Sequence, residues 1–147
     1  IPDFTRSIEL EAKSAETWYF RAFCYEKTGS PDKAMTDYSK AIEFNPNYVE
    51  ALVNRALLQY NAQNFSESIA DNSKALQISN PNIKPMILVN RANAFLQSGK
   101  LTEALTDVNA AIQLNANYPR AYQSRAAIYM KLGQSDKAQV DMQKAGK

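Results

Sequence analysis

The chain has 147 residues, of which 45% are hydrophobic and 22% charged, and its formal net charge is +2. Four glycines and six prolines leave little room for linkers or disorder, so the composition indicates a packed helical protein. Histidine is absent from the sequence, which removes the commonest general base and metal ligand and argues strongly against catalysis.

An aspartate recurs along the chain at an almost fixed interval. Asp3, Asp37, Asp71, Asp107 and Asp141 are 34, 34, 36 and 34 residues apart. A period of this length indicates one supersecondary unit stacked several times, because each copy can bury its apolar face only against a neighbour. Small residues recur in the same register, as helices need where they approach most closely. They are the alanines of Arg21-Ala22, Arg55-Ala56, Arg91-Ala92 and Arg125-Ala126, together with Ala41, Ala75, Ala111 and Ala145.

In chain order, the period predicts a partial repeat followed by four helical hairpins, nine helices in all. Residues 1–14 are predicted to be the second helix of a truncated preceding repeat, since Asp3–Glu9 aligns with Asp37–Glu43. The full repeats are predicted over residues 15–48, 49–84, 85–118 and 119–147, the second with a two-residue insertion and the last truncated. The whole chain is therefore interpreted as one domain of an all-α solenoid, part of a longer array.

Turn signals fall between the two predicted helices of each repeat. Gly29, Gly99 and Gly133 share one position in the repeat, where a left-handed residue lets the chain turn back, and Gln63 stands there in the second repeat. Ser30-Pro31-Asp32 indicates the start of a second helix, with a capping hydroxyl or a first-turn proline. Cys24 is predicted to be a buried structural thiol, because Leu58, Ala94 and Ile128 occupy its position elsewhere.

The first full repeat resembles the tetratricopeptide repeat (TPR) family, a 34-residue helix-turn-helix pattern. The matching residues are Trp18, Tyr25, Ala34, Tyr38 and Pro46. Ala22 replaces the glycine of the pattern, and Arg21, like Arg55, Arg91 and Arg125, stands where the pattern has leucine. The resemblance implies a superhelix of antiparallel hairpins whose first helices line a concave groove.

The recurring arginines and aspartates admit two interpretations. Opposite charges in register favour structural ion pairs between helices, whereas four arginines alone would suggest a stripe that binds RNA phosphates. We favour the ion pairs; the sequence leaves open whether Arg55 meets Asp71 of its own repeat or Asp37 of the one before. Residues 1–79 carry a charge of −3 and residues 80–147 a charge of +5, a gradient too weak to indicate a nucleic-acid partner.

The second repeat departs from the others at two positions. Gln59 and Asn72 replace the pairs Tyr25 with Tyr38, Phe95 with Val108 and Tyr129 with Met142. We predict that the two amides are in contact, since a buried amide left unpaired costs about 1 to 3 kcal/mol. The two inserted residues, in the turn over residues 79–85, are interpreted as a tolerated surface insertion, with an altered superhelical rotation as the alternative.

Subtracting the predicted core from the first helices leaves the side chains predicted to face the groove. The predicted peptide-binding residues are Tyr19, Phe20, Phe23, Asn54, Leu57, Asn90, Asn93, Arg120 and Gln123. Glu16, Glu50, Val53, Met86, Val89, Ser124 and Ala127 belong to the same predicted surface. The aromatic cluster Tyr19, Phe20 and Phe23 fits either a binding pocket or a surface covered by an upstream hairpin.

Asn54 and Asn90 share one position in adjacent repeats, and an amide can match the donor and acceptor of a peptide bond. The pair is similar to the asparagine ladder in the TPR arm of O-linked N-acetylglucosamine transferases, but Phe20 and Ser124 interrupt it. The pattern of TPR co-chaperones that clamp a terminal carboxylate is matched only by Asn54 or Asn90 and by Arg120. The other clamp positions hold Tyr19, Phe23, Val53, Leu57 and Ser124. We therefore expect no carboxylate clamp.

The sequence thus predicts a cytoplasmic, non-enzymatic module that binds a peptide or helix of another protein. No cofactor, nucleic acid or membrane partner is expected, and self-association is possible. Two alternatives remain: the substrate-recognition arm of an enzyme whose catalytic domain lies elsewhere, or a structural scaffold in a large complex.

Overall fold

A computed structural model of the protein describes residues 14–146, which form eight α-helices. Their bounds are Ala15–Lys27 (α1), Pro31–Phe44 (α2), Val49–Asn61 (α3), Phe65–Ile78 (α4), Lys84–Gln97 (α5), Leu101–Leu114 (α6), Pro119–Lys131 (α7) and Ser135–Ala145 (α8). This part of the chain contains no β-strand. The helix predicted over residues 1–14 lies outside the described residues apart from its last position.

The helices pair in sequence order. The most extensive contacts join α1 to α2, α3 to α4, α5 to α6 and α7 to α8, so each pair is a hairpin. Each of the first three second helices, α2, α4 and α6, also packs against the first helix of the next hairpin. The predicted α-solenoid of stacked hairpins is confirmed.

Alanines fill the places where the helices meet, because a side chain without further branching lets two backbones approach closely. The buried ones are Ala22, Ala34, Ala41, Ala51, Ala56, Ala75, Ala92, Ala94, Ala104, Ala111, Ala121, Ala126 and Ala138. Between them, Leu52, Ile87 and Ile128 are fully buried and fill the larger gaps. Ala145, at the position of Ala41 in the last helix, is partly exposed.

All four hairpin turns are built in the same way. Ser30 N–H donates to the Tyr25 carbonyl at 2.8 Å and Gly29 N–H to the Glu26 carbonyl at 3.2 Å, the two bonds of a Schellman motif. Gly29, Gly99 and Gly133 have φ of 73°, 75° and 72°, as predicted. Gln63 adopts the same left-handed conformation, with φ of 63°. The second repeat therefore keeps the same turn, although the Cβ of Gln63 makes the left-handed conformation unfavourable.

Replacing Gln63 by glycine is expected to raise the free energy of unfolding by about 0.5 to 1 kcal/mol, because a left-handed conformation is unfavourable for a residue with a Cβ. Urea titration of the wild type and variant measures the difference. As a control, Gln113→Gly, at an exposed position within α6, is expected to lower stability by about the same amount. Destabilisation by Gln63→Gly would show that the turn carries no strain.

Two details of the helix boundaries differ from the prediction. Helix α2 begins at Pro31, but the Ser30 hydroxyl makes no capping bond, so the first-turn proline is the operative signal. Cys24 is partly exposed rather than buried. Leu58, at the same position in the next repeat, is buried in a cluster with Ala22, Ala34, Tyr38 and Ala41 of the first hairpin.

The two inserted residues lie on either side of the turn that begins at Asn80, one before the turn and one at the start of α5. Measured from Asp71 and Arg91, one of them is Ser79, which is buried, and the other lengthens the first turn of α5, a helix of 14 residues against 13 for α3. The interpretation as a surface insertion is therefore wrong for Ser79. The contact between Arg91 and Ser73 spans the insertion just as Arg55 meets Ser39 in the preceding repeat, so the stacking contact is kept.

Candidate functional site

The recurring arginines bind the aspartates of their own repeats. Arg55 Nε and Nη2 donate to the two carboxylate oxygens of Asp71 at 2.7 and 2.8 Å. Arg21 with Asp37, Arg91 with Asp107 and Arg125 with Asp141 form the same two-point contact, at 2.5 to 2.8 Å. This settles the alternative that the sequence left open: the pairs lie within each hairpin.

Each of the last three arginines also reaches the hairpin before it. The Nη1 groups of Arg55 and Arg91 donate to the hydroxyls of Ser39 and Ser73, and that of Arg125 donates to Asn109 Oδ1. The hydrogen bonds with Asp37 and Asp141 raise the pKa of Arg21 and Arg125 above the usual arginine value. Since their donors are engaged inside the protein, these groups are placed to hold hairpins together rather than to bind phosphate.

The first helices approach one another along the stack. Besides its contacts with α6, helix α5 packs directly against α3 on one side and α7 on the other. Helices on the inner side of a curved stack lie closer together than those outside, so these contacts place the first helices on the inner side. We call the surface they form the inner groove. It carries the residues that the sequence predicted for binding.

At the N-terminal end of the inner groove, Tyr19 lies in an aromatic cluster. Its ring is 5.5 Å from Phe20, 5.7 Å from Tyr38 and 4.9 Å from Tyr48. Asn54 Nδ2 donates to the hydroxyls of Tyr19 and Tyr38, at 3.3 and 3.2 Å. The side-chain amide of Asn54, which was predicted to bind a peptide backbone, is therefore partly occupied by hydrogen bonds within the protein.

The tyrosines of this cluster have raised pKa values. Burial is the main cause for Tyr48, whose pKa is raised to about 12, with a further contribution from neighbouring Tyr19. Burial also raises the pKa of Tyr38 and Tyr19; in Tyr38 the hydrogen bond to Glu26 adds to it, whereas in Tyr19 the bond from Asn54 acts in the opposite direction. The cluster therefore resists ionisation.

We expect the free energy of unfolding to fall as the pH rises from 10 towards 12. The folded state holds these phenolic protons above the unfolded pKa of 10, so the stabilisation is complete below pH 10 and is lost as the pH passes the folded value of about 12. Urea titration over this range, with tyrosinate absorbance, measures the effect. Tyr48→Phe should reduce the slope, and an unchanged stability up to pH 12 would contradict the shift.

Phe20 and Phe23 are 48% and 39% exposed. The Lys27 ammonium lies 4.9 Å from the centre of the Phe23 ring. The prediction is wrong for three other residues that were assigned to the groove. Val53, Val89 and Ser124 are buried. Val53 shares a core cluster with Ile87 of the next first helix, and Val89 shares one with Ala121. A subtraction based on single hairpins could not anticipate these contacts.

Near the middle of the inner groove, four of the predicted residues line one pocket of about 70 Å³, which we call the central pocket. They are Leu57, Asn90, Asn93 and Arg120, and Ala56, Tyr60, Ser68 and Asn72 complete the lining. Leu57 is 44% exposed. Tyr19, Phe20, Phe23, Asn54 and Gln123 are not among its lining residues, although all belong to first helices.

Sequence reasoning missed the contribution of the second helix α4 to the central pocket. Asn72 and Gln59 are both buried, but no hydrogen bond joins them, so the predicted amide pair is not formed as a hydrogen bond. Instead Asn72 Nδ2 donates to the Ser68 carbonyl at 2.9 Å. Gln59 Oε1 and Asn72 Oδ1 are buried without a hydrogen-bond partner in the described part of the chain. The sequence signal that could have indicated this pocket is the replacement of the Tyr25 and Tyr38 pair by Gln59 and Asn72 in the second repeat.

Two further features of residues 14–146 concern metal ions and membranes. No cluster of three or more cysteine, aspartate or glutamate side chains that could hold a metal ion occurs there. None of the helices in that range is long and apolar enough to cross a membrane.

Comparison with protein families decides the classification. A family model described as Tetratricopeptide repeat matches residues 15–48, and one described as TPR repeat matches residues 92–133. The chain belongs to the tetratricopeptide repeat family. The two matched TPR segments together span more than half of its length.

Curated relatives of this TPR chain are longer proteins. The TPR repeat-containing thioredoxin TTL4 of Arabidopsis thaliana is 33% identical over 81 residues, 55% of this chain and 12% of the relative. Hsc70-interacting protein 1 of Drosophila melanogaster is 30% identical over 123 residues, 83% of this chain and 32% of the relative. The chain thus spans about a third or less of these proteins.

Solved structures share the fold of the TPR chain. A crystal structure of MamA has a TM-score of 0.87 at 18% identity, covering 97% of this chain and 82% of the other. A structure of PilF from Pseudomonas aeruginosa has a TM-score of 0.84 at 19% identity, covering 97% of this chain and 64% of the other. At these identities the similarity establishes the TPR solenoid alone.

Proposed function

We propose that this TPR chain is a non-enzymatic protein-interaction module whose inner groove binds a peptide or helix of a partner protein. The observation that carries the proposal is the central pocket, where residues from α3, α4, α5 and α7 meet on one surface. Exposed Leu57, Phe20 and Phe23 add apolar area along the same side. Exposed apolar side chains next to unsatisfied polar groups are typical of a surface that a partner covers.

The relatives support the class of function. Hsc70-interacting protein 1 and the SGT1 homolog of Bos taurus match this chain, and the name of the first states a protein partner. We retain the expectation that this chain is no carboxylate clamp. Tyr19 lies in an aromatic cluster and Val53 is buried, so neither of these clamp positions offers a cation or a free amide.

A second candidate is the recognition arm of an enzyme. It is favoured by the TPR repeat-containing thioredoxins TTL4 and TDX of Arabidopsis thaliana, of which the TPR chain would cover 12% and 32%. In both candidate functions the inner groove binds another polypeptide. The sequence of the full-length protein decides between them.

Partner capture tests the groove. The wild type is compared with a variant that carries Leu57→Ala, Asn90→Ala and Arg120→Ala, three lining residues of the central pocket. The matched control carries Glu43→Ala, Gln77→Ala and Gln113→Ala, which are exposed and share one position on the second helices. The groove variant is expected to lose its captured proteins while the control keeps them, both with wild-type melting. Equal capture by both variants would end the groove proposal.

A further inference from the structure

The central pocket lies where an aromatic ring stands in the first hairpin. There the Tyr38 hydroxyl donates to Glu26 Oε2 at 2.9 Å and accepts from Asn54 Nδ2 at 3.2 Å. The residues at the same repeat positions in the second hairpin and its neighbour are Tyr60, Asn72 and Asn90, and all three line the central pocket. The pocket therefore occupies the place of a missing tyrosine ring and its hydrogen bonds.

Asn72, one of the most buried side chains that line the central pocket, carries a buried hydrogen-bond acceptor. Asn72 is 1% exposed, and its Oδ1 has no partner among the described residues. The opposite orientation of this amide is unfavourable, because Nδ2 would lose its 2.9 Å bond to the Ser68 carbonyl and two oxygens would then face each other. A buried acceptor without a donor is unfavourable by about 1 to 3 kcal/mol, so a ligand that supplies an N–H or O–H is favoured here.

The outer end of the central pocket is cationic. Of the described residues that line it, only Arg120 is charged, and it is exposed. A lysine or arginine side chain of a ligand would be repelled by this guanidinium. A carboxylate would suit Arg120 but would bring a second acceptor to Asn72 Oδ1. A neutral group with a donor and an acceptor satisfies both ends.

The size of the central pocket limits which ligand group it can hold. Its volume of about 70 Å³ is well below the ~150 Å³ of an apolar cavity that takes up benzene. A group of a few non-hydrogen atoms therefore fits the pocket as it stands.

We propose that the central pocket binds a carboxamide side chain, glutamine or asparagine, of the partner polypeptide. The NH₂ group donates to Asn72 Oδ1 and the carbonyl oxygen accepts from Arg120 or from the amides of Asn90 and Asn93. This assignment rests on the proposed function, since it names the side chain that the inner groove reads. Leu57 and Ala56 cover the apolar stem of that side chain.

Short fluorescent peptide pools test the assignment. The central residue is fixed as Gln, Glu, Leu or Lys, the flanks are randomised, and fluorescence polarisation gives an average Kd for each pool. The wild type is expected to bind the Gln pool about fivefold more tightly than the Leu and Glu pools, the effect of one buried hydrogen bond. Asn72→Leu should abolish that preference.

Asn72→Tyr provides a second variant that fills the space with the ring found at Tyr38. It is expected to fold and to lose the Gln preference as well. Equal binding of all pools by the wild type overturns the carboxamide pocket while leaving the groove proposal intact. Preference for the Glu pool, lost in Arg120→Ala, overturns it in favour of a carboxylate site. If no pool binds, the pocket assignment fails, and the groove proposal fails with it only when partner capture is also unaffected by the groove variant.

Discussion

Replacing Asp71 by alanine is expected to lower the free energy of unfolding by about 2 to 3 kcal/mol. The change leaves Arg55, whose side chain is 21% exposed, without the carboxylate that binds it at two points. A partly buried charge that loses its partner retains its desolvation penalty and loses the attraction that offset it. Urea or thermal unfolding of the two proteins measures the difference.

Two controls separate this effect from a general response to lost charges. Glu43→Ala removes the partner of Lys40 in an exposed pair, in which the side chains are 46% and 63% exposed, and should change stability by less than about 0.5 kcal/mol. Arg55→Met combined with Asp71→Leu removes both charges and should recover most of the loss. A loss below about 0.5 kcal/mol for Asp71→Ala would mean that the repeated pair does not stabilise the stack.

Replacing Ala92 by leucine is expected to destabilise the protein by about 2 to 3 kcal/mol. Ala92 is fully buried in the cluster shared by α5, α6 and α7. Three additional carbon atoms have no space there, so the helices must separate or the side chain must leave its preferred rotamer. The same substitution at Ala22, Ala56 and Ala126 tests the equivalent position in each repeat.

Ala127→Leu is the matched control, because Ala127 is the next residue after Ala126 in α7 and is exposed. It should leave the melting temperature nearly unchanged. If Ala92→Leu were as stable as Ala127→Leu, the alanines would not mark the contact between helices, and the packing described above would be wrong.

The period of the sequence was sufficient to predict the hairpins, because several independent positions repeat together. Gly29 and its counterparts predicted the turns, and the alternation of Arg with Asp predicted the ion pairs. The helices, the turns and the existence of the ion pairs could therefore be predicted from the sequence. The choice of Asp71 rather than Asp37 for Arg55 could not, since both lie in register and only the packing distances decide.

The candidate site was less predictable than the fold. Val53 and Val89 are buried by contacts between successive first helices, which no pattern within one repeat encodes. Asn54 was selected as a free amide, but the two tyrosine hydroxyls that occupy it come from α1 and α2. Asn72 stood out as a departure from the repeat, yet its role as the lining of a pocket appears only when α4 and α5 are placed side by side.

Chemical-shift mapping with a captured partner peptide distinguishes the two surfaces, because the inner groove should bind protein while the arginines hold the hairpins together. The predicted result is that backbone and side-chain amide signals of Leu57, Asn90, Asn93 and Gln123 shift on binding, while the guanidinium signals of Arg21, Arg55, Arg91 and Arg125 do not. Shifts confined to the second helices, around Glu43, Gln77 and Gln113, would contradict the account.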